Sequence, residues 1–241
     1  GDAGLDMVLD QLEQNMRRAP RHDHRTVIVH FAVSRPEQVA RIKRLGAIVS
    51  GNPYYPVALA DNYRSNGLDP GRADVMVRMG DVESAGISYS YHSDMPMAPG
   101  QPLFLMWSGV NRITNDGNLR GPEQRVSPLG ALKAVTLDAA YSMQLEKEVG
   151  SIVSGKLANF TNLADNPLTV DPMKIKDIRV WGTVHEGRVI PVKGVATSQA
   201  TAADGGLMEA AAVDDGALSL ALAARLAELA GHRHGGVHES Y

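Results

Sequence analysis

Gly86–Met97 reads GISYSYHSDMPM, and the reading of this stretch decides the fold. Gly86 closes a helical pattern, and Ile87–Tyr91 is a short run rich in β-branched and aromatic side chains, as a strand requires. His92-Ser93-Asp94 ends it, and Pro96 and Pro99 forbid its continuation. A carboxylate and an imidazole therefore stand at the carboxyl end of a strand, which in α/β folds is where ligands and metals sit. The same residues also suit a plain turn capped by Asp94, with His92 an ordinary polar loop residue.

Working back toward the amino terminus, the pattern alternates. Asp2 caps a helix running to about Ala19, with Leu5, Val8, Leu9, Leu12 and Met16 on one face. Pro20 stops it. Arg25–His30 follows, a nearly continuous apolar run of the kind found in parallel strands buried on both faces. Ser34-Arg35-Pro36-Glu37 reads as a capping box for a helix carrying Val39, Ile42 and Leu45. Gly46 ends that helix and Ala47–Ser50 is the next strand. Gly51–Pro70, containing Asn52, Tyr54 and Tyr55, reads as a long loop, and residues 71–85 as one helix. The order α, β, α, β, loop, α, β implies parallel strands with right-handed crossovers.

Toward the carboxyl terminus, Leu103–Arg112 reads as a helix, and Ser127 with Pro128 starts another that runs through about Tyr141, with Leu129, Leu132 and Val135 inward. The pattern then changes to short strand-like pieces at Asn159–Leu163, Ile178–Val184 and Arg188–Val192, the last two joined by a turn at Glu186-Gly187. These form a small antiparallel unit. From Gly194 the Ala-, Gly-, Ser- and Thr-rich composition suggests a linker. Leu218, Leu222, Leu226 and Leu229 share one helical face beyond it. The expected organisation is 1–145 (α/β), 146–193 (antiparallel unit) and 194–241 (linker and helical tail).

The 241 residues carry 24 basic and 27 acidic side chains, a formal net charge of -3, and no basic run that would suit nucleic acid. There are no cysteines, which excludes disulfides and thiolate metal sites and agrees with an expected cytoplasmic location. No apolar run approaches the roughly 20 residues of a membrane span. The chain begins at Gly1 rather than Met, and is expected to be a processed product or part of a longer chain.

Three groups of histidines compete for chemistry. His30 ends one strand as Asp94 ends another, so a parallel sheet would bring both to one rim, with His92 beside them. Imidazole nitrogen and carboxylate oxygen are common zinc ligands, although a catalytic zinc takes about three protein ligands and a water. A strand-end His30 bonded to a neighbouring carbonyl is the plainer alternative. His22-Asp23-His24 precedes its strand and so lies at the opposite rim. The His232, His234 and His238 cluster lies in a Gly-rich tail with no preorganised geometry. Tyr54 and Tyr55, after the middle strand, could wall a pocket. Nucleophile-elbow, Walker and dinucleotide-binding glycine motifs are absent.

Six segments, in order, resemble the carboxyl-terminal portion of the amidohydrolase superfamily, in its amidohydrolase family 3 branch of metal-dependent deacylases: Arg25–Phe31 (RTVIVHF), Leu45–Ser50 (LGAIVS), His92–Pro96 (HSDMP), Pro128–Thr136 (PLGALKAVT), Gly150–Ala158 (GSIVSGKLA) and Ile178–Gly187 (IRVWGTVHEG). The resemblance covers about residues 1–192. It implies a partial (β/α)8 barrel, a TIM-barrel fragment with a small β-sandwich, and hydrolysis of a carbon–nitrogen bond in a small-molecule amide or cyclic amide. It makes His30 a ligand of a divalent metal, zinc foremost, and Asp94 both a metal ligand and the proton shuttle of the metal-activated water. His92, Asn52, Tyr54 and Tyr55 are the expected substrate contacts.

Two departures matter. The family's first-strand His-x-His has no counterpart here, and its fifth-strand His would fall just upstream of Gly1. A whole barrel takes about 250 residues, well beyond the α/β part of this chain. Asn159 stands where the family often has Asp and is expected to be structural. The alternative to a hydrolase is a non-catalytic fragment, or a partner that completes a barrel supplied by a missing amino-terminal half or another copy.

Overall fold

The computed structural model describes residues 1–192. The Leu218–Leu229 helix, the linker from Gly194 and the tail histidines lie outside the described residues.

Helix α1 (Asp2–Arg18) has Asp2 in its first turn and Arg17 and Arg18 in its last, each favourable to the helix dipole. It buries Leu5, Leu9 and Leu12. Val8, expected on the same face, is 49% exposed. At 100° per residue it lies roughly 70° from the centre of that stripe. Strand β1 (Val27–His30) leads to α2 (Pro36–Leu45) and β2 (Ile48–Gly51). The Ser34 capping box does not form. Arg35 is the capping position, and the Gln38 side chain accepts from the Arg35 N–H at 2.9 Å. Gly46 closes α2 at φ 72°, where its N–H reaches the Ile42 and Lys43 carbonyls.

The expected 51–70 loop is instead helix α3 (Tyr54–Asn66). The Asn52 carboxamide accepts the Tyr54 N–H at 3.0 Å, satisfying one of the orphan donors of the first turn. Val57 and Ala60 are buried below it. The expected 71–85 helix is two, α4 (Pro70–Asp74) and α5 (Met79–Ser84), separated by Val77 at φ 53°, which no helix accommodates. Strand β3 (Tyr89–Tyr91) and α6 (Pro102–Asn111) follow, and the expected 127–141 helix is also split, into α7 (Pro128–Ala134) and α8 (Leu137–Ser142).

β1, β2 and β3 form one parallel sheet in that order, with Val27 opposite Ile48, His30 opposite Gly51 and Gly51 opposite Tyr91. Leu9, Ile42, Val49, Val82 and Ile175 are fully buried in the core between sheet and helices. Each such side chain is worth about 1.5–3 kcal/mol of burial. The second sheet, β4 (Phe160–Leu163), β5 (Val180–His185) and β6 (Arg188–Pro191), is antiparallel in that order. Its hairpin turns at Glu186 (φ 50°) and Gly187 (φ 82°), the double left-handed geometry that suits the twist of paired strands. Asn159 is structural, accepting the Glu186 N–H at 2.7 Å. The 3₁₀ segment Pro172–Asp177 docks on α6, where Trp107 Nε1 donates to the Met173 carbonyl at 3.1 Å and Asn111 Nδ2 to the Pro172 carbonyl at 2.9 Å.

Candidate functional site

The parallel register puts the ends of β1, β2 and β3 at one rim, so residues 30, 52 and 92 come together although far apart in sequence. The Asn52 N–H donates to the His30 carbonyl at 3.4 Å, and the His92 N–H to the Gly51 carbonyl at 3.2 Å. His30, Phe31 and Asp94 have φ of 68°, 50° and 55°. Such backbone in non-glycine residues is unfavourable and gathers at functional sites. These three stand where two strands hand over to their loops.

His30 Nδ1 lies 4.0 Å from Asp94 Oδ2, and each side chain is about half exposed. Tyr55 reaches both from the first turn of α3: its hydroxyl is 3.1 Å from His30 Nδ1 and 3.4 Å from Asp94 Oδ2. Its ring stacks on the His30 ring at 6.1 Å and 21°. His92 meets the His30 ring edge-on at 5.0 Å and 72°. The His92 Nε2 is buried without a hydrogen-bond partner among the described residues. Burial and the neighbouring His30 lower the His92 pKa, holding that imidazole neutral. Burial, and then the Asp94 charge, raise the Tyr55 pKa, so its hydroxyl keeps its proton.

His30, His92 and Asp94 are thus brought together as the sequence suggested. Asn52 is fully buried beneath them and braces the rim, its Nδ2 donating to the Ser93 carbonyl at 3.4 Å. Tyr54 packs on Phe104 at 5.6 Å rather than on the cluster. His24 is occupied at the opposite rim by Thr26 Oγ1 and the Leu45 carbonyl, each at 2.8 Å. A cleft of about 330 Å³ also lies at that opposite rim, between Lys43, Ile87 and Asp138, away from the cluster.

Sequence reasoning missed Arg112. Buried to 2% exposure, its guanidinium donates to the backbone carbonyls of Asp74, Met76, Val77 and Arg120 at 2.8–3.2 Å. Burial lowers its pKa to about 10, so it remains charged near neutrality. The segment it grips donates through the Val77 N–H to the Ala32 carbonyl at 2.8 Å, directly behind His30 and Phe31. Only its place at the end of α6 could have marked it.

Among the described residues, no group of three or more His, Cys, Asp or Glu side chains could hold a metal ion. The pair His30 and Asp94 offers one nitrogen and one oxygen donor, the ligand types that suit a borderline divalent ion. The donor chemistry fits as part of a ligand set.

A parallel α/β sheet with a half-exposed imidazole and carboxylate at its carboxyl rim defines a class, α/β proteins with a polar site built on βα junctions. The profile of the amidohydrolase family matches residues 1–191, and the chain belongs to that family. It is 27% identical over 190 residues to the N-substituted formamide deformylase of Arthrobacter pascens, covering 78% of this chain and 34% of that protein. It is 27% identical over 194 residues to the putative amidohydrolase YtcJ of Bacillus subtilis, covering 79% and 36%. Among solved structures, an uncharacterized metal-dependent hydrolase from Pyrococcus furiosus superposes with a TM-score of 0.57 and 26% identity, over 70% of this chain and 33% of that one. The chain thus spans about a third of the length of each of these proteins. No helix among the described residues is long and apolar enough to cross a membrane.

Proposed function

We propose that this chain forms part of a metal-dependent hydrolase that cleaves a carbon–nitrogen bond in a small-molecule amide or cyclic amide. In this reading β1–β3 are three strands of a (β/α)8 barrel, and the antiparallel sheet is part of a β-sandwich beside it. The observation that carries the proposal is the convergence of the His30 imidazole and the Asp94 carboxylate, both about half exposed, at the carboxyl rim. Family membership and the deformylase relative agree with it.

His30 and Asp94 would hold the divalent ion, with the remaining donors supplied from outside the described residues. When bound, such an ion acts as a Lewis acid and lowers the pKa of water toward about 7. Asp94 would accept the proton from the attacking water at a carboxylate oxygen, then return it to the departing nitrogen. The half-exposure of Asp94 leaves it open to substrate. The neutral His92 ring and the Tyr55 phenol would border the amide.

A second reading has its own observation. The described residues lack a complete metal site, which favours a chain that is inactive alone, or that completes a barrel with another polypeptide. Expression of a longer parent chain, with the Asp94→Asn variant beside it, separates the two. The hydrolase reading expects amide turnover in the parent and a fall of about 10²–10⁴-fold in kcat for the variant, with unfolding unchanged. Turnover that ignores the substitution would remove Asp94 from the chemistry, and a parent without turnover on any amide would favour the second reading.

A further inference from the structure

We propose that Tyr55 is a positioning residue: it locks His30 in the tautomer that carries its proton on Nδ1 and leaves the Nε2 lone pair free. The argument is a count of protons and lone pairs. The Tyr55 hydroxyl stands 3.1 Å from His30 Nδ1 and 3.4 Å from Asp94 Oδ2. An ionised carboxylate can only accept. A hydroxyl that bridges the two must therefore give its single proton to Asp94 and use a lone pair to accept from Nδ1–H. The opposite polarity would point the phenol proton at Nδ1 and turn its lone pairs on a charged oxygen. That arrangement sets lone pair against lone pair across 3.4 Å, with no proton between the phenol and the carboxylate.

The surroundings keep the ring in place for this. The Tyr55 ring stacks on the imidazole at 6.1 Å, and the edge of His92 abuts it at 5.0 Å. Turning the His30 ring over would put a carbon where the phenol oxygen needs a donor. Tyr55 is itself fixed at the start of α3, next to the Tyr54 N–H that Asn52 caps. The chain thus contains a three-member relay, His30 Nδ1–H to Tyr55 to Asp94, drawn from three different βα junctions. In metal sites, such outer partners set which imidazole nitrogen is offered to the ion. The link to metal holding rests on the proposed hydrolase reading; the tautomer itself does not.

The test is nitrogen NMR of the full 241-residue chain with ¹⁵N-labelled histidine, without metal, at a pH where the rings are neutral. A His30→Gln variant assigns the signals. The expected result is a pyrrole-type Nδ1 and a pyridine-type Nε2 for His30. Tyr55→Phe should collapse this separation toward the tautomer mixture of free histidine. Asp94→Asn should do the same, because an amide can donate to the phenol and release its proton to Nδ1. A His30 protonated on Nε2 in the native chain would overturn the proposal, as would an unmoved separation in Tyr55→Phe. A tyrosine that merely packs would leave the Asp94→Asn spectrum unchanged, and that result too would refute the relay. Since no ion or substrate is present, absence of amide hydrolysis in a longer parent would leave this outcome readable.

Discussion

Replacing Arg112 with methionine should be among the most damaging single changes outside the apolar core. The substitution keeps much of the aliphatic volume but removes every donor. Four backbone carbonyls, of Asp74, Met76, Val77 and Arg120, then lose their guanidinium partner inside a region where the side chain is 2% exposed. The Val77 carbonyl keeps the Met79 N–H at 2.8 Å, and an unsatisfied buried carbonyl among the other three costs about 1–3 kcal/mol. Loss of the charge's own burial penalty, visible in its lowered pKa, offsets part of that cost. Relaxation of the loop toward water offsets more. The net expectation is about 3–5 kcal/mol. Urea unfolding followed by the fluorescence of Trp107 and Trp181 measures it, and in a domain of this size the melting temperature should fall by roughly 6–20 °C. Arg112→Lys should recover less than half, because an ammonium cannot reproduce the planar fork that reaches four acceptors. A loss below about 1 kcal/mol in Arg112→Met, or full recovery by lysine, would refute the idea that this guanidinium pins the 74–77 segment.

Three further outcomes are expected. With His30 and Asp94 as the paired donors among the described residues, the chain by itself should retain well under one equivalent of zinc after dialysis; stoichiometric zinc by metal analysis would contradict the partial ligand set. Gly109→Ala places a Cβ against the Tyr91 hydroxyl, so it should lower stability and also shift the NMR signals of His92, one residue on; unchanged His92 signals would uncouple α6 from the rim. Hydrogen bonds from Arg25 lower the pKa of Glu146, and hydrogen bonds from Arg25 and Tyr141 lower that of Asp23. Depressed carboxylates stabilise above their unfolded pKa values and lose that contribution as pH falls through the folded ones. The stability gap between the native chain and Arg25→Gln should therefore be steady above about pH 5 and close on acidification, and a gap independent of pH would rule the ion pairs out.

The sheet and its rim were legible because their signals are local. Apolar runs bounded by proline, glycine and polar turns marked β1 to β3, and strict α/β alternation made them parallel. From there the meeting of His30 with Asp94 follows from topology alone. Helix α3 was not legible, since Asn52-Pro53-Tyr54-Tyr55-Pro56 is turn chemistry by local preference. What overrides it is the Asn52 cap and the burial of Val57 and Ala60, both tertiary effects. The breaks at Val77 and Thr136 escaped for the same reason: an apolar period continues across them, while distant carbonyl partners and packing set the backbone. From the sequence alone, Tyr55 reads as a pocket wall. Its bond to His30 depends on a side-chain direction that spacing does not encode, and Arg112 looks like any cation near a helix end until its four acceptors arrive from two other loops.

The polar residues at the rim hang from three separate strand-to-helix crossings, each with its own hydrogen-bonded register beneath it. Such a layout is modular. The β2–α3 crossing, through Asn52 and Tyr55, is bonded to both neighbours and acts as the keystone, whereas the stretch between Asp94 and α6 can vary while the other crossings keep their alignment. Sequence drift can therefore rewrite the outer positions of one crossing at a time, and a laboratory library confined to the exposed positions 95–97 and 99–101 would sample that same freedom without loosening the frame.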